Sequence, residues 1–166
     1  GISNATVPHL ERIARLGPVA SLQPPYSVVS PESERELLPY CAAHGIGTIA
    51  YSPMKLGLLS GKMTRERIAA FPADDLRSRH PDFLEPRLTR NLALAAKLGE
   101  IGARHGRTAG EVAIAWCLRS PAVTGAIVGL RSPGQLAGVA GAATFRLAAE
   151  EIGEIAAFAA GTEGER

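Results

Sequence analysis

Four short clusters in this chain carry side chains suited to holding a ligand: Ser3-Asn4, Gln23, Tyr51-Ser52-Pro53 and Gly129-Leu130-Arg131-Ser132. Asn4 and Gln23 each offer an amide donor and acceptor, the pair that matches a carboxamide. Tyr51 offers a flat ring for stacking. Arg131 lies just before a predicted helix start, where its charge and the helix dipole would together favour a phosphate. Singly, each has an ordinary structural reading. Asn4 and Gln23 suit turns or strand ends, and Tyr51 suits a core.

Two glycine motifs compete for attention, and neither holds. Tyr51–Lys62 reads YSPMKLGLLSGK, but a Walker loop needs G-x-x-x-x-G-K-[ST]. Here three residues separate Gly57 from Gly61, and Met63 stands where the hydroxyl belongs. Gly45-Ile-Gly-Thr-Ile-Ala50 matches G-x-G-x-x-A, a motif that works only between a strand and the helix after it. In this chain it falls between a helix and the strand after it. Gly45 is better explained as a left-handed helix cap.

The elements must bring the four clusters together. Thr6 predicts a helix through about Leu16, followed by a buried strand over Val19–Gln23. Ser30-Pro31 is a cap-plus-proline start for a second helix, with Leu37, Leu38 and Cys41 inward and Gly45 at its end. Gly47–Tyr51 is a strand, and Ser52 to about Pro86 reads as a long irregular stretch. Helices follow at about Leu88–His105 and from the Thr108/Glu111 capping box through Leu118. Val123–Val128 is a strand, and helices at about Pro133–Ala140 and Ala148–Ala159 precede a polar tail, residues 161–166. Short apolar strands alternating with amphipathic helices predict an α/β fold with a parallel sheet. Three strands and a stub at Gly1-Ile2 are too few for a closed barrel of eight. They amount to about half of one.

Composition narrows the function classes. The chain has 166 residues, 46% of them hydrophobic, with 18 basic against 16 acidic. The cations are scattered, so neither a nucleic-acid footprint nor a membrane patch is expected. No apolar run is long enough to span a bilayer. Cys41 and Cys117 suit reduced thiols in a cytoplasmic setting, and four isolated histidines argue against a metal. The chain begins without methionine and GISN reads as the end of a strand, so part of a longer protein is expected.

Five segments together resemble the carboxy-terminal half of an aldo-keto reductase, an NADP-dependent (β/α)8-barrel oxidoreductase. They are GISN, LQPPYS, ELLPYCAAHGIGTIAYSPMKLGLLSGK, HGRTAGEVAIAWCL and AIVGLRSPGQL, in the family's order. The resemblance implies a partial TIM barrel over residues 1–160, running from the end of strand five to strand eight with its outer helices. It implies that Ser3, Asn4 and Gln23 hold the nicotinamide amide of NADP(H) while Tyr51 stacks on the ring. Ser52, Pro53, Met54, Leu56 and Lys62 would follow the pyrophosphate. Gly129, Arg131 and Gln135 would meet the adenosine end and its 2′-phosphate, with Arg77 or Arg79 as a further clamp. Taken alone, Lys62 reads as a solvated cation and Gln135 as the capping partner of Ser132.

Two departures qualify this. Where the family has an acid and then Asn after the Gln135 position, this chain has Gly138 and Val139. The family's catalytic Asp, Tyr, Lys and His come from strands two to four, which have no counterpart here, and Tyr26, Tyr40 and Tyr51 match no catalytic motif. The chain is therefore expected to carry the cofactor side alone, without catalytic residues. Its expected partners are the dinucleotide, a carbonyl substrate in the complete enzyme, and the amino-terminal half or a second copy. A non-catalytic NADP(H)-binding or regulatory module and an inactive truncated product are the alternatives.

Overall fold

Four parallel strands form one sheet in chain order: β1 (Ile2–Ser3), β2 (Ser21–Gln23), β3 (Gly47–Tyr51) and β4 (Val123–Ile127). This is a computed structural model, and it describes residues 1–161. The helices are α1 (Val7–Ala14), α2 (Leu37–Ala43), α3 (Arg65–Ala69), α4 (Arg87–Ala103), α5 (Ala109–Leu118), α6 (Pro133–Ala137) and α7 (Ala149–Gly161). Ser3 pairs with Gln23, Pro25 bridges to Tyr51, and Tyr51 pairs with Ile127. That register brings the carboxyl ends of all four strands to one rim.

Burial explains which face does what. In β3 Thr48 and Ala50 are fully buried, while Gly47, Ile49 and Tyr51 are half-buried on the opposite face. Ala50 joins a core with Leu94 and Leu98 of α4 and Val112 and Trp116 of α5. From Ala109 to Cys117, α5 is buried on every side, as expected of a helix apolar all round. Its capping box is formed: the Thr108 hydroxyl accepts from Glu111 N–H at 3.1 Å, and Thr108 N–H donates to Glu111 Oε2 at 2.8 Å. Gly110 lets the loop after β3 press on that helix, since a Cβ there would meet Met54 Sδ at 3.0 Å. Cys41 and Cys117 are both buried thiols, not a disulfide.

Several expected boundaries move for identifiable reasons. The Ser30-Pro31 signal does not open α2. It precedes a 3-10 turn at Glu32–Glu34, and α2 begins at Leu37. Ser30 has other partners: its hydroxyl accepts from Lys55 Nζ at 2.6 Å, and its backbone pairs with Ser27. The stretch from Ser52 to Pro86 is not irregular throughout. It contains α3 and three 3-10 turns, and its Leu58 and Phe83 form a small core with Leu88 of α4. The helix expected over 133–140 stops at Ala137 and resumes as a 3-10 turn at Ala140–Ala143. Gly161 ends α7 instead of opening the tail. Residues 162–166 of that expected tail lie outside the described residues.

Candidate functional site

The rim is built around Tyr51. Its N–H donates to Pro24 O at 3.0 Å and its carbonyl accepts from Tyr26 N–H at 3.2 Å, so the backbone is fixed on both sides. Its hydroxyl donates to Asn4 Oδ1 at 2.9 Å. Asn4 has φ 56°, a left-handed conformation that asparagine tolerates, and its N–H donates to Gln23 O at 3.2 Å. The Ser3 hydroxyl donates to the same carbonyl at 3.1 Å. Ser3, Asn4, Gln23 and Tyr51 thus form one hydrogen-bonded corner.

From that corner the loop after β3 runs in an unusual backbone. Ser52, Lys55 and Leu56 have φ of 55°, 46° and 55°, and Gly57 and Gly61 are also positive. Left-handed non-glycine residues cost on the order of 1–3 kcal/mol each and persist only where the surroundings fix them. Here the fixing groups are plain. Leu58 and Leu59 are fully buried, and Lys55 Nζ turns inward to Ser30 and, at 3.2 Å, to Asp82 Oδ2.

A cleft of about 870 Å³ opens along this loop. Nine of the expected site residues line it: Tyr51, Ser52, Pro53, Met54, Leu56, Lys62, Gly129, Arg131 and Gln135. Ser3, Asn4 and Gln23 are not in its walls; they adjoin it through the Tyr51–Asn4 bond. Gln135 Oε1 accepts from Arg131 N–H at 2.5 Å, so it braces the Arg131 backbone. The Ser132 hydroxyl makes no capping bond, and α6 has only 5 residues. Any positive field there comes chiefly from the guanidinium, not from a helix dipole.

Gly138 and Val139, the two departures, also line the cleft. The Gly138 carbonyl accepts from the Thr108 hydroxyl at 2.7 Å, and a Cβ at position 138 would lie 4.0 Å from Lys62 Nζ. Backbone and the Lys62 ammonium group therefore occupy this part of the cleft.

The segment between Met63 and Pro86 supplies part of the cleft wall through Arg67, Asp75, Leu76 and Arg77. Arg77 lines the cleft and Arg79 does not. The Asp75 carboxyl takes Arg77 Nε at 2.9 Å and Nη2 at 2.6 Å, and Arg77 lies 3.9 Å over the Phe71 ring. Hydrogen bonds from the Arg77 side chain and backbone, with the charges of Arg77 and Arg131, hold the Asp75 carboxyl down at about 2. The resemblance pointed to Arg77 or Arg79 but not to Asp75, for which an Asp-x-Arg spacing before a turn was the available signal. Four cations, one acid, a flat ring and apolar patches suit an elongated anion with an aromatic end.

The other tyrosines are differently engaged. Tyr26 donates to Glu34 Oε1 at 2.6 Å and accepts from Arg119 Nη1 at 2.6 Å, and burial with the Glu34 bond pushes its phenol up. Tyr40 stacks on His44 at 4.0 Å. Among the described residues no group of three His, Cys, Asp or Glu is placed to hold a metal, and no helix is long and apolar enough to cross a membrane.

Residues 1–160 match the model of the aldo/keto reductase family. Aldo-keto reductase YhdN of Bacillus subtilis (strain 168) is 35% identical over 137 residues, covering 82% of this chain and 41% of that protein. Aldo-keto reductase str7 of Strobilurus tenacellus is 31% identical over 166 residues, 98% of this chain and 49% of its own. The solved glycerol dehydrogenase AKR11B4 from Gluconobacter oxydans superposes with TM-score 0.85 at 32% identity, covering 95% of this chain and 48% of that one. The thermostable aldo-keto reductase Tm1743, at 22% identity and TM-score 0.66, shows the fold alone. The chain thus spans about half the length of the relatives it matches. Its parallel α/β architecture is of their TIM-barrel type, and by sequence and fold alike it belongs to the aldo/keto reductase family of oxidoreductases.

Proposed function

We propose that this chain forms the cofactor side of an NADP(H)-dependent carbonyl reductase, corresponding to the carboxy-terminal half of the barrel. The observation that carries this is the continuity of one cleft from Tyr51 to Arg131, with the Ser3–Asn4–Gln23 corner at its ring end. Asn4 and Gln23 would meet the carboxamide and Tyr51 the nicotinamide ring. Ser52, Pro53, Met54, Leu56 and Lys62 would follow the pyrophosphate, and Gly129, Arg131 and Gln135 the adenosine 2′-phosphate. The chemistry such a cofactor supplies is hydride transfer to a carbonyl carbon.

Proton donation to the carbonyl oxygen falls, on this reading, to residues outside the chain. The Tyr26 phenol is locked between Glu34 and Arg119, and the Tyr51 phenol is committed to Asn4. Those engagements also favour the second reading, a non-catalytic NADP(H)-binding module. The expected setting is cytoplasmic.

Fluorescence titration of the 166-residue chain with NADPH tests the proposal. Saturable binding without carbonyl reduction is the expected result. Gain of reduction on adding an amino-terminal half from a relative supports the reductase reading over the binding module. No NADPH binding at all would sink both.

A further inference from the structure

Of the residues lining the cleft, Lys62, Arg67, Arg77 and Arg131 are cationic and Asp75 alone is acidic. A carboxylate is a costly neighbour for a phosphate, so its presence in this wall needs a reason. Asp75 is built in place. Besides the two side-chain bonds from Arg77, its Oδ1 accepts Arg77 N–H at 2.9 Å and its carbonyl accepts the Ser78 hydroxyl at 2.7 Å. Arg77 is independently seated on Phe71. The turn is therefore rigid, yet it holds Leu76 out at 66% exposure, against a cleft rim that also carries Leu130 at 41%. Asp75 and Arg131 line the same cleft, and the Arg131 charge adds a minor share, after the bonds and charge of Arg77, to holding the Asp75 carboxyl ionised.

We propose that the Asp75–Leu76–Arg77 turn reads the adenosine end of the dinucleotide, Leu76 covering the base and the Asp75 carboxylate tempering the preference for a 2′-phosphate. The inference rests on the cofactor reading above. In the wild type Arg77 is neutralised by its partner, and the Arg131 charge is shared between Asp75 and any phosphate that enters. A phosphomonoester at the 2′ position meets that competition, whereas a 2′-hydroxyl does not. Leu76 would supply apolar cover where the family's polar residues are replaced by Gly138 and Val139. Removing the carboxylate charge leaves Arg77 on its ring and returns its charge to the cleft.

The test measures the dissociation constants of NADPH and NADH on the full chain, wild type and two variants. Asp75→Asn is expected to tighten NADPH about five- to tenfold, leave NADH within about twofold, and lose that gain as salt is raised. Leu76→Ala, on an exposed side chain, is expected to weaken both dinucleotides by the same factor. If Asp75→Asn leaves the NADPH to NADH ratio unchanged, or shifts it towards NADH, the assignment to Asp75 is wrong. Unaltered binding by Leu76→Ala removes the base contact. If wild type binds neither dinucleotide, the cofactor reading itself fails and takes this inference with it.

Discussion

The Tyr51 hydroxyl donates to Asn4 Oδ1 across 2.9 Å, joining the last residue of β3 to the residue after β1. A bond from that donor engages the amide oxygen and leaves Asn4 Nδ2 as the outward donor. The same bond steadies the ring. Tyr51→Phe should keep the flat face but release Asn4, weakening NADPH binding about two- to fivefold. Tyr51→Ala removes ring and bond together and should cost about tenfold or more. Titration of the two variants side by side separates stacking from positioning. Equal affinity in both would show that the ring does no holding.

Lys55 connects three segments: its own left-handed loop, Ser30 from the loop after β2, and Asp82 from the segment before α4. Its side chain is 18% exposed and that of Asp82 13%, so solvent screens the pair little. Lys55→Met should cost about 1–3 kcal/mol in urea unfolding, because Asp82 loses a partner in a partly buried site. His80 Nδ1 at 3.7 Å and Arg87 at 3.6 Å remain near that carboxylate, which keeps the loss below that of an isolated buried charge. Lys55→Arg should recover most of the stability. Asp82→Asn combined with Lys55→Met should be less than additive.

The contrast between Lys55 and Arg131 shows what the sequence could and could not convey. Strand and helix positions were legible from periodicity and caps, and the Thr108/Glu111 box is realised as read. The loop after β3 was legible through its resemblance to the family. Ser30-Pro31 misled because a hydroxyl that can cap a helix can equally accept from a lysine 25 positions away. Arg67 and Asp75 were not among the expected site residues for a related reason, and Arg77 was expected only as an alternative to Arg79. Their place at the cleft depends on tertiary packing, with Phe71 under Arg77 and Phe71 against Phe83 at 6.3 Å. Long-range apolar contacts of that kind leave no periodic signature.

Two helical glycines should respond oppositely to a methyl group. In α4, a Cβ at Gly102 would stand 2.5 Å from the Arg107 carbonyl oxygen and 3.1 Å from its carbon, both rigid backbone atoms. Gly102→Ala should lower stability by about 1–3 kcal/mol, since the turn entering α5 must shift. In α7, nothing lies within 4 Å of a Cβ at Gly153. Gly153→Ala should raise stability by about 0.5–1 kcal/mol through helix propensity. Chemical unfolding of both variants checks the pair, and destabilisation by Gly153→Ala would show that α7 makes contacts on that face.

The sheet ends at β4, which pairs with β3 on one side and with no further strand among the described residues on the other. Thr124 and Ile127 are exposed there, Ile127 at 43%. An exposed edge of this kind is a template for pairing with another chain. The chain by itself is therefore expected to associate, eluting above its 17.4 kDa mass in size-exclusion chromatography with light scattering. Thr124→Lys places a charge on the edge strand without touching a cleft-lining residue and should shift the population towards monomer. An amino-terminal half-barrel from a relative should compete with the self-association and convert it to a one-to-one complex. A wild-type chain that stays monomeric at micromolar concentration and melts in one cooperative step would mean that the β4 edge needs no partner.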